Sequence, residues 1–280
     1  MVEGLSWNVL DLFSGIGGFS LGLERAGMRT VAFCEIEPSA CAVLRKHWPD
    51  VPIIGDIRAA AFPEADVICG GFPCQDVSYA GKRAGVAGER SGLFWEMVRA
   101  VRLVRPRYVI VENVAALSTD GMDAVLGTMA AERYDAEWDC ISASDCGAPH
   151  GRPRVWIAFA DADCKQRPQG SRSGFRRRQW KPEENAEVVP HPNSERKLEL
   201  FGLFGEVRRR IADGAARSFW ERDWQAKFEA LRGMDDGVPT RLDRIRDGRS
   251  IARLGNAVIP QIPQLIGEAI MAYERDNPCP

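Results

Sequence analysis

A chain of 280 residues, 45% hydrophobic and 27% charged, can build one large domain or a main domain with a smaller partner, and no apolar run approaches the ~18 residues of a membrane span. The formal net charge of −2 hides an uneven distribution: residues 1 to 160 carry 15 Lys and Arg against 20 Asp and Glu, whereas 161 to 232 carry 16 against 12. A basic segment beside an acidic remainder suits a polyanion-binding module on a small-ligand enzyme, although solvated charge alone gives the same pattern. The eight cysteines never occur as Cys-x-x-Cys and are not grouped with His47, His150 and His191, which argues against a metal. The first residues lack the basic and apolar regions of a signal peptide, so a cytoplasmic protein without disulfides is expected.

Trp7 to Leu10 reads as a short strand running into Asp11-Leu12-Phe13-Ser14-Gly15-Ile16-Gly17-Gly18-Phe19, and Leu21, Leu23, Ala26 and Met28 suggest an amphipathic helix ended by Gly27. Strand, glycine loop and helix in this order let a ligand approach backbone near a helix N-terminus, which suits the carboxylate or phosphate of a nucleotide-like cofactor. The Gly-x-Gly-Gly spacing departs from the dinucleotide fingerprint and disfavours NAD. The next strand, Thr30 to Cys34, ends at Glu35, about twenty residues after the loop, where an acid binds ribose hydroxyls or caps the helix that Pro38 begins. Helix Ser39 to His47 follows, and Val51 to Ile54 lead to Gly55-Asp56-Ile57, where the Asp56 carboxylate could accept a bond from an adenine amino group.

The apolar run Ala65 to Cys69 then meets Gly70-Gly71-Phe72-Pro73-Cys74-Gln75. Two glycines permit a tight turn and Pro73 restricts the backbone before Cys74, whose thiol is either a nucleophile or a small packed hydrophobe. Gln75 to Ser91, with Gly81, Gly85 and Gly88 among Lys82, Arg83 and Arg90, reads as an active-site loop. A helix over Gly92 to Arg102 precedes the strand Tyr108 to Val111, which ends in Glu112-Asn113-Val114. An acid directly after so apolar a strand is desolvated and inclined to hold its proton, unless it only caps the next helix. Beyond a helix over Met122 to Arg133 and a strand over Glu137 to Ser142, Arg152 and Arg154 open the strand Val155 to Phe159 on one face, as donors for a carbonyl or phosphate. Residues 161 to 232, with Arg176 to Arg178 and Arg208 to Arg210, read as a small, partly irregular domain contributing basic surface. Leu254-Gly255-Asn256-Ala257-Val258-Ile259-Pro260 and a helix over Gln264 to Arg275 close the chain.

In this order, the glycine loop, Gly70 to Gln75, Glu112-Asn113-Val114, Arg152-x-Arg154 and Gly255 to Val258 resemble the motif series of the DNA (cytosine-5)-methyltransferases over 1 to 160 and 233 to 280. The resemblance implies an α/β, Rossmann-like S-adenosylmethionine-dependent methyltransferase fold with a mostly parallel, doubly wound sheet. It further implies a catalytic and cofactor-binding domain over 1 to 160, a target-recognition domain over 161 to 232, and a segment over 233 to 280 that returns to the catalytic domain. By the same likeness Cys74 is the nucleophile at cytosine C6, Glu112 the carboxyl at N3, Arg154 the ligand of O2 and Arg152 its support. Phe13, Ser14, Gly15, Ile16, Gly17 and Gly18 meet the methionine end of S-adenosylmethionine; Glu35 meets the ribose and Asp56 the adenine. Ile36 and Ile57 flank the adenine ring, and Pro73, Leu93 and Asn256 complete the pocket. Gln75, Ser78 and Arg90 contact double-stranded DNA around a flipped cytosine. His150 departs from the glutamine that many members carry before the arginine pair. A monomer is expected, without membrane or metal, serving restriction-modification with a separate endonuclease or acting alone. Other readings of the same residues are a tRNA cytosine-5 methyltransferase, an inactive DNA-binding relative and, disfavoured by the glycine spacing, a nicotinamide oxidoreductase.

Overall fold

A computed structural model of the chain describes residues 7–73, 92–119, 121–148, 151–162, 202–214 and 257–277. Seven strands form one sheet: β1 (Asn8–Leu12), β2 (Arg29–Cys34), β3 (Ile53–Ile54), β4 (Val67–Gly70), β5 (Tyr108–Val114), β6 (Tyr134–Ser142) and β7 (Pro153–Asp161). Their order is β3-β2-β1-β4-β5-β7-β6. The first five run parallel, and β7 is antiparallel to both of its neighbours. Buried on both faces, β4 and β7 read as continuous apolar runs rather than as alternating ones.

The pleat divides the core. Val9, Val67, Cys69, Tyr108, Ile110, Trp156 and Ala158 point to one face, where α1 (Gly18–Arg25), α5 (Leu203–Ala212) and α6 (Gln261–Asp276) pack. Leu10, Leu12, Ile68, Val109, Val111, Val155 and Ile157 point to the other, under α3 (Leu93–Val104) and α4 (Met122–Ala131). The helix α2 (Pro38–His47) begins with Pro38, whose fixed φ suits a first turn, and buries Ala40, Cys41 and Leu44. Helices cover both faces of a mostly parallel sheet, the doubly wound architecture expected.

Strand order reverses at β1, so the C-terminal ends of β1 and β4 frame the crevice where such sheets bind ligands. The two backbones approach so closely there that a Cβ on Gly70 would collide with the Leu12 carbonyl oxygen. A second close approach brings α6 onto α1: Cβ atoms on Gly18 and Gly22 would strike the carbonyls of Val258 and Pro260. The segment leading into α6 is thereby pressed against the glycine loop.

Within the stretch expected as a partly irregular basic domain, Leu203–Ala212 form α5, which packs on the main core. Leu203, Phe204, Val207 and Ile211 bury one stripe against Ile262, Ile266 and Ile270 of α6. The Glu137 carboxylate accepts the free Leu203 and Phe204 N–H groups at 3.1 and 2.8 Å, complementing the helix N-terminus. The triplet Arg208 to Arg210 is paired with acids. Arg208 pairs with Asp139 and Asp145, Arg209 with Glu206 and Asp213, and Arg210 with Glu206 and Glu268. Among the described residues, no helix is long and apolar enough to cross a membrane, and no three His, Cys, Asp or Glu gather as a metal site needs.

Candidate active site

The loop between β1 and α1 folds on itself through left-handed backbone at Phe13 (φ 54°), Gly15 (φ 54°) and Gly17 (φ 86°). Glycine tolerates that region without a Cβ penalty, whereas Phe13 adopts it at a cost that the surrounding bonds must offset. Ser14 supplies two of them. Its hydroxyl donates to the Asp11 carbonyl at 2.7 Å and accepts from the Cys34 N–H at 3.2 Å.

Glu35 closes the loop from the end of β2. One carboxylate oxygen accepts from the Gly15 N–H at 2.7 Å, and the other from the Ile36 and Glu37 N–H groups at 2.9 and 2.8 Å. The expected ribose acid therefore stands directly over the expected methionine loop. Space above Gly15 is open, with nothing within 4 Å of where a Cβ would project, and Ile36 is 66% exposed beside it. An open backbone cradle, a carboxylate and an exposed apolar side chain are what a nucleoside carrying a free amino acid, as S-adenosylmethionine does, needs. Ile57, the other expected adenine wall, is buried in the core. Asp56 accepts from the Arg58 N–H at 3.0 Å, capping a short 3-10 turn (Ile57–Ala59), and pairs with the Arg58 guanidinium at 3.4 Å. Leu93 begins α3 and packs on the core, while Pro73 is exposed at the end of the turn after β4.

Asp11 was not singled out by motif reading. It is fully buried on β1, accepting from the Ser20 hydroxyl at 2.7 Å and the Ser20 N–H at 3.3 Å. From the strand it performs the capping that no side chain of the loop provides for α1. Burial pushes its carboxyl up to about 7, against the opposing Ser20 bonds. The available signal was an acid inside an otherwise apolar strand.

The second half of the site lies across β4, β5 and β7. Glu112 falls inside β5 rather than after it, because β5 continues through Val114 on the antiparallel β7. The Arg154 Nε lies 2.9 Å from a Glu112 oxygen, and the two side chains are 22% and 13% exposed. Burial raises the Glu112 pKa, opposed by Arg154 and then Arg152. Burial and the Arg154 charge lower that of Arg152. Arg152 stands just before β7 with φ 41°, so a turned backbone as well as strand pleating aims it at this cluster.

The turn after β4 reaches the same place. A Cβ on Gly71 would sit 3.2 Å from the other Glu112 oxygen, so glycine leaves that side of the carboxyl accessible. The Asn113 amide donates to the Phe72 carbonyl at 2.9 Å, tying the turn to β5. Asn113 was quoted in a motif without a role, and this bond assigns it one. The turn before Cys74 is thus held beside Glu112. A small cleft joins Glu112 and both arginines to Trp156, Val258 and Ile259. Cys74, Gln75, Ser78, Arg90, His150 and Asn256 lie outside the described residues.

Comparison with known proteins places the chain in a family. The family model for C-5 cytosine-specific DNA methylase matches residues 7–229. Type II methyltransferase M.Eco47II of Escherichia coli is 41% identical over 128 residues, which cover 44% of this chain and 31% of that protein. M.NlaIV of Neisseria lactamica is 33% identical over 168 residues, 53% of this chain and 40% of that protein. A solved structure described as a DNA modification methyltransferase from an E. coli prophage aligns over 57% of this chain and 48% of its own, at 28% identity and a TM-score of 0.47. The matched stretches span about a third to a half of the curated relatives' length. The family match covers most of the chain, including both halves of the crevice, and the chain belongs to the C-5 cytosine-specific DNA methylase family.

Proposed function

We propose that the protein is a DNA (cytosine-5)-methyltransferase, transferring a methyl group from S-adenosylmethionine to C5 of a cytosine flipped out of a specific duplex sequence. The observation that carries this reading is the approach of Arg154 and of the Gly71–Pro73 turn to Glu112, beside a loop and acid suited to the cofactor.

Bound S-adenosylmethionine supplies the electrophilic methyl. Cytosine C5 is too weak a nucleophile to take it unaided, so the Cys74 thiolate adds at C6 and makes the ring an enamine. Electron density moves toward N3, where Glu112 donates its proton; burial favours the protonated acid that this step requires. Arg154, already fixed against Glu112, offers remaining donors to the O2 carbonyl, and Arg152 supports it. After methylation C5 loses its proton to a base, the Cys74–C6 bond breaks, and aromaticity returns. The target must leave the helix because stacking shields C6. Residues 161 to 232 are the proposed target-recognition region. Within it, α5 packs on the core of the sheet.

Transfer of radiolabelled methyl from S-adenosylmethionine to duplex DNA tests the reading, with bisulfite sequencing of DNA from expressing cells to locate the product. Label in DNA at cytosine C5 that vanishes in Cys74→Ser supports it. A folded protein that labels tRNA but no DNA, or neither, contradicts it.

A further inference from the structure

In the β5–β7 ladder Glu112 stands directly opposite Trp156, and Arg154 lies two residues along the same face of β7. Directly opposed side chains have Cβ atoms about 5 Å apart, so the indole and the carboxyl are immediate neighbours. Trp156 is 1% exposed, rests edge-on against Phe19 of α1 at 5.6 Å between ring centroids, and lines the cleft with Glu112. Its Nε1 has no hydrogen-bond partner among the described residues. Fit against Phe19 therefore sets the ring, with no bond to its own polar atom.

The other walls sharpen the role. Among the described residues, the ionisable groups that face Glu112 are Arg152, just before β7, and Arg154 of β7; the turn after β4 offers Gly71, and the segment entering α6 offers Ala257, Val258 and Ile259. Both arginines draw the carboxyl toward its charged form. Holding the proton-bearing form against two cations demands a dry wall, and Trp156 is the largest apolar surface available.

We propose that Trp156 is a positioning residue for methyl transfer: its indole excludes water from the inner side of Glu112, so that this carboxyl meets the pyrimidine N3 as a donor. The inference rests on the role assigned to Glu112 above. Removing the five-membered ring leaves a gap bordered by a carboxyl and a guanidinium, polar enough to admit a water.

Infrared titration of the full-length protein reads the Glu112 carboxyl directly, its band identified by loss in Glu112→Gln. The wild-type midpoint is expected above the usual carboxylate range, and in Trp156→Phe it falls by about one pH unit as water enters. Trp156→Leu serves as a second, more open variant should the first repack. The alkaline limb of single-turnover methylation moves with the midpoint, whereas a merely structural tryptophan lowers the rate equally at every pH. An unchanged midpoint in both folded variants, or a wild-type Glu112 that titrates in the ordinary range, overturns the proposal. The titration requires no turnover, so an inactive protein with the expected midpoints would count against the proposed function and leave the wall standing.

Discussion

The side-chain amide of Asn113 donates to the main-chain carbonyl of Phe72 across the end of the sheet, a buried bond of 2.9 Å. It joins the strand that carries Glu112 to the turn that leads into Cys74, so the two halves of the proposed chemistry share one rigid tie. Asn113→Ala leaves the Phe72 carbonyl without this donor, a loss of about 1–3 kcal/mol. The turn loosens relative to Glu112, and kcat is expected to fall roughly 10- to 100-fold. Cofactor affinity, measured by calorimetry, should stay within about twofold, since the loop that carries Glu35 and Gly15 is untouched. An equal loss in both quantities would place the defect elsewhere.

Asp11 predicts a pH-dependent stability. Its folded carboxyl is pushed up to about 7 from an ordinary value of 3.8, so between those limits the folded state holds more protons than the unfolded one. Stability contributed by this group is greatest below about pH 4, falls as pH rises, and levels off above about pH 7, with a total change of up to ~4 kcal/mol. Asp11→Asn should flatten that slope in denaturant unfolding measured across the window. A slope as steep as that of the wild type would show that Asp11 is not the group responsible.

Glu35 holds the loop and is proposed to meet the cofactor. Glu35→Ala removes the acceptor of three backbone N–H groups, those of Gly15, Ile36 and Glu37. Binding of S-adenosylmethionine is expected to weaken at least ~10-fold, while Glu35→Gln, which keeps one acceptor oxygen, retains an intermediate affinity. Calorimetric titration distinguishes the two variants, and unchanged affinity in Glu35→Ala would remove the ribose assignment.

Arg208 was expected to add to a basic surface, and it is tied to Asp139, Asp145 and the Cys140 carbonyl. Arg208→Ala should lower stability by roughly 1 kcal/mol, since these pairs are partly exposed and screened. DNA affinity and its dependence on salt should not change. A shallower salt slope would show that the guanidinium meets phosphate.

These contrasts show how the fold was legible in the sequence. β1, the glycine loop and α1 could be read because strand period, left-handed glycines and helix period follow one another without overlap. Glu112 was recognised as a desolvated acid, yet its place inside β5 depends on pairing with β7, which no local pattern reports. The helix α5 was hidden by its arginines. Leu203, Phe204, Val207 and Ile211 already carried the apolar stripe, but the triplet Arg208 to Arg210 looked like a free basic patch until Asp139, Asp145 and Glu268 arrived from distant segments. Asp11 and Asn113 were missed as site residues because their roles lie in hydrogen bonds to other elements. Trp156 gained meaning only from the residue opposite it.

In the proposed reaction Cys74 attacks a cytosine presented to Glu112 and Arg154. A duplex carrying 5-fluorocytosine at the methylated site blocks loss of the C5 substituent and should arrest the reaction as a covalent protein–DNA complex in the presence of S-adenosylmethionine. Intact-mass analysis is predicted to show one DNA strand attached per wild-type chain, at Cys74, and none for Cys74→Ser. A wild-type protein that methylates ordinary DNA yet forms no adduct, or a Cys74→Ser variant that forms the same adduct, would contradict the account.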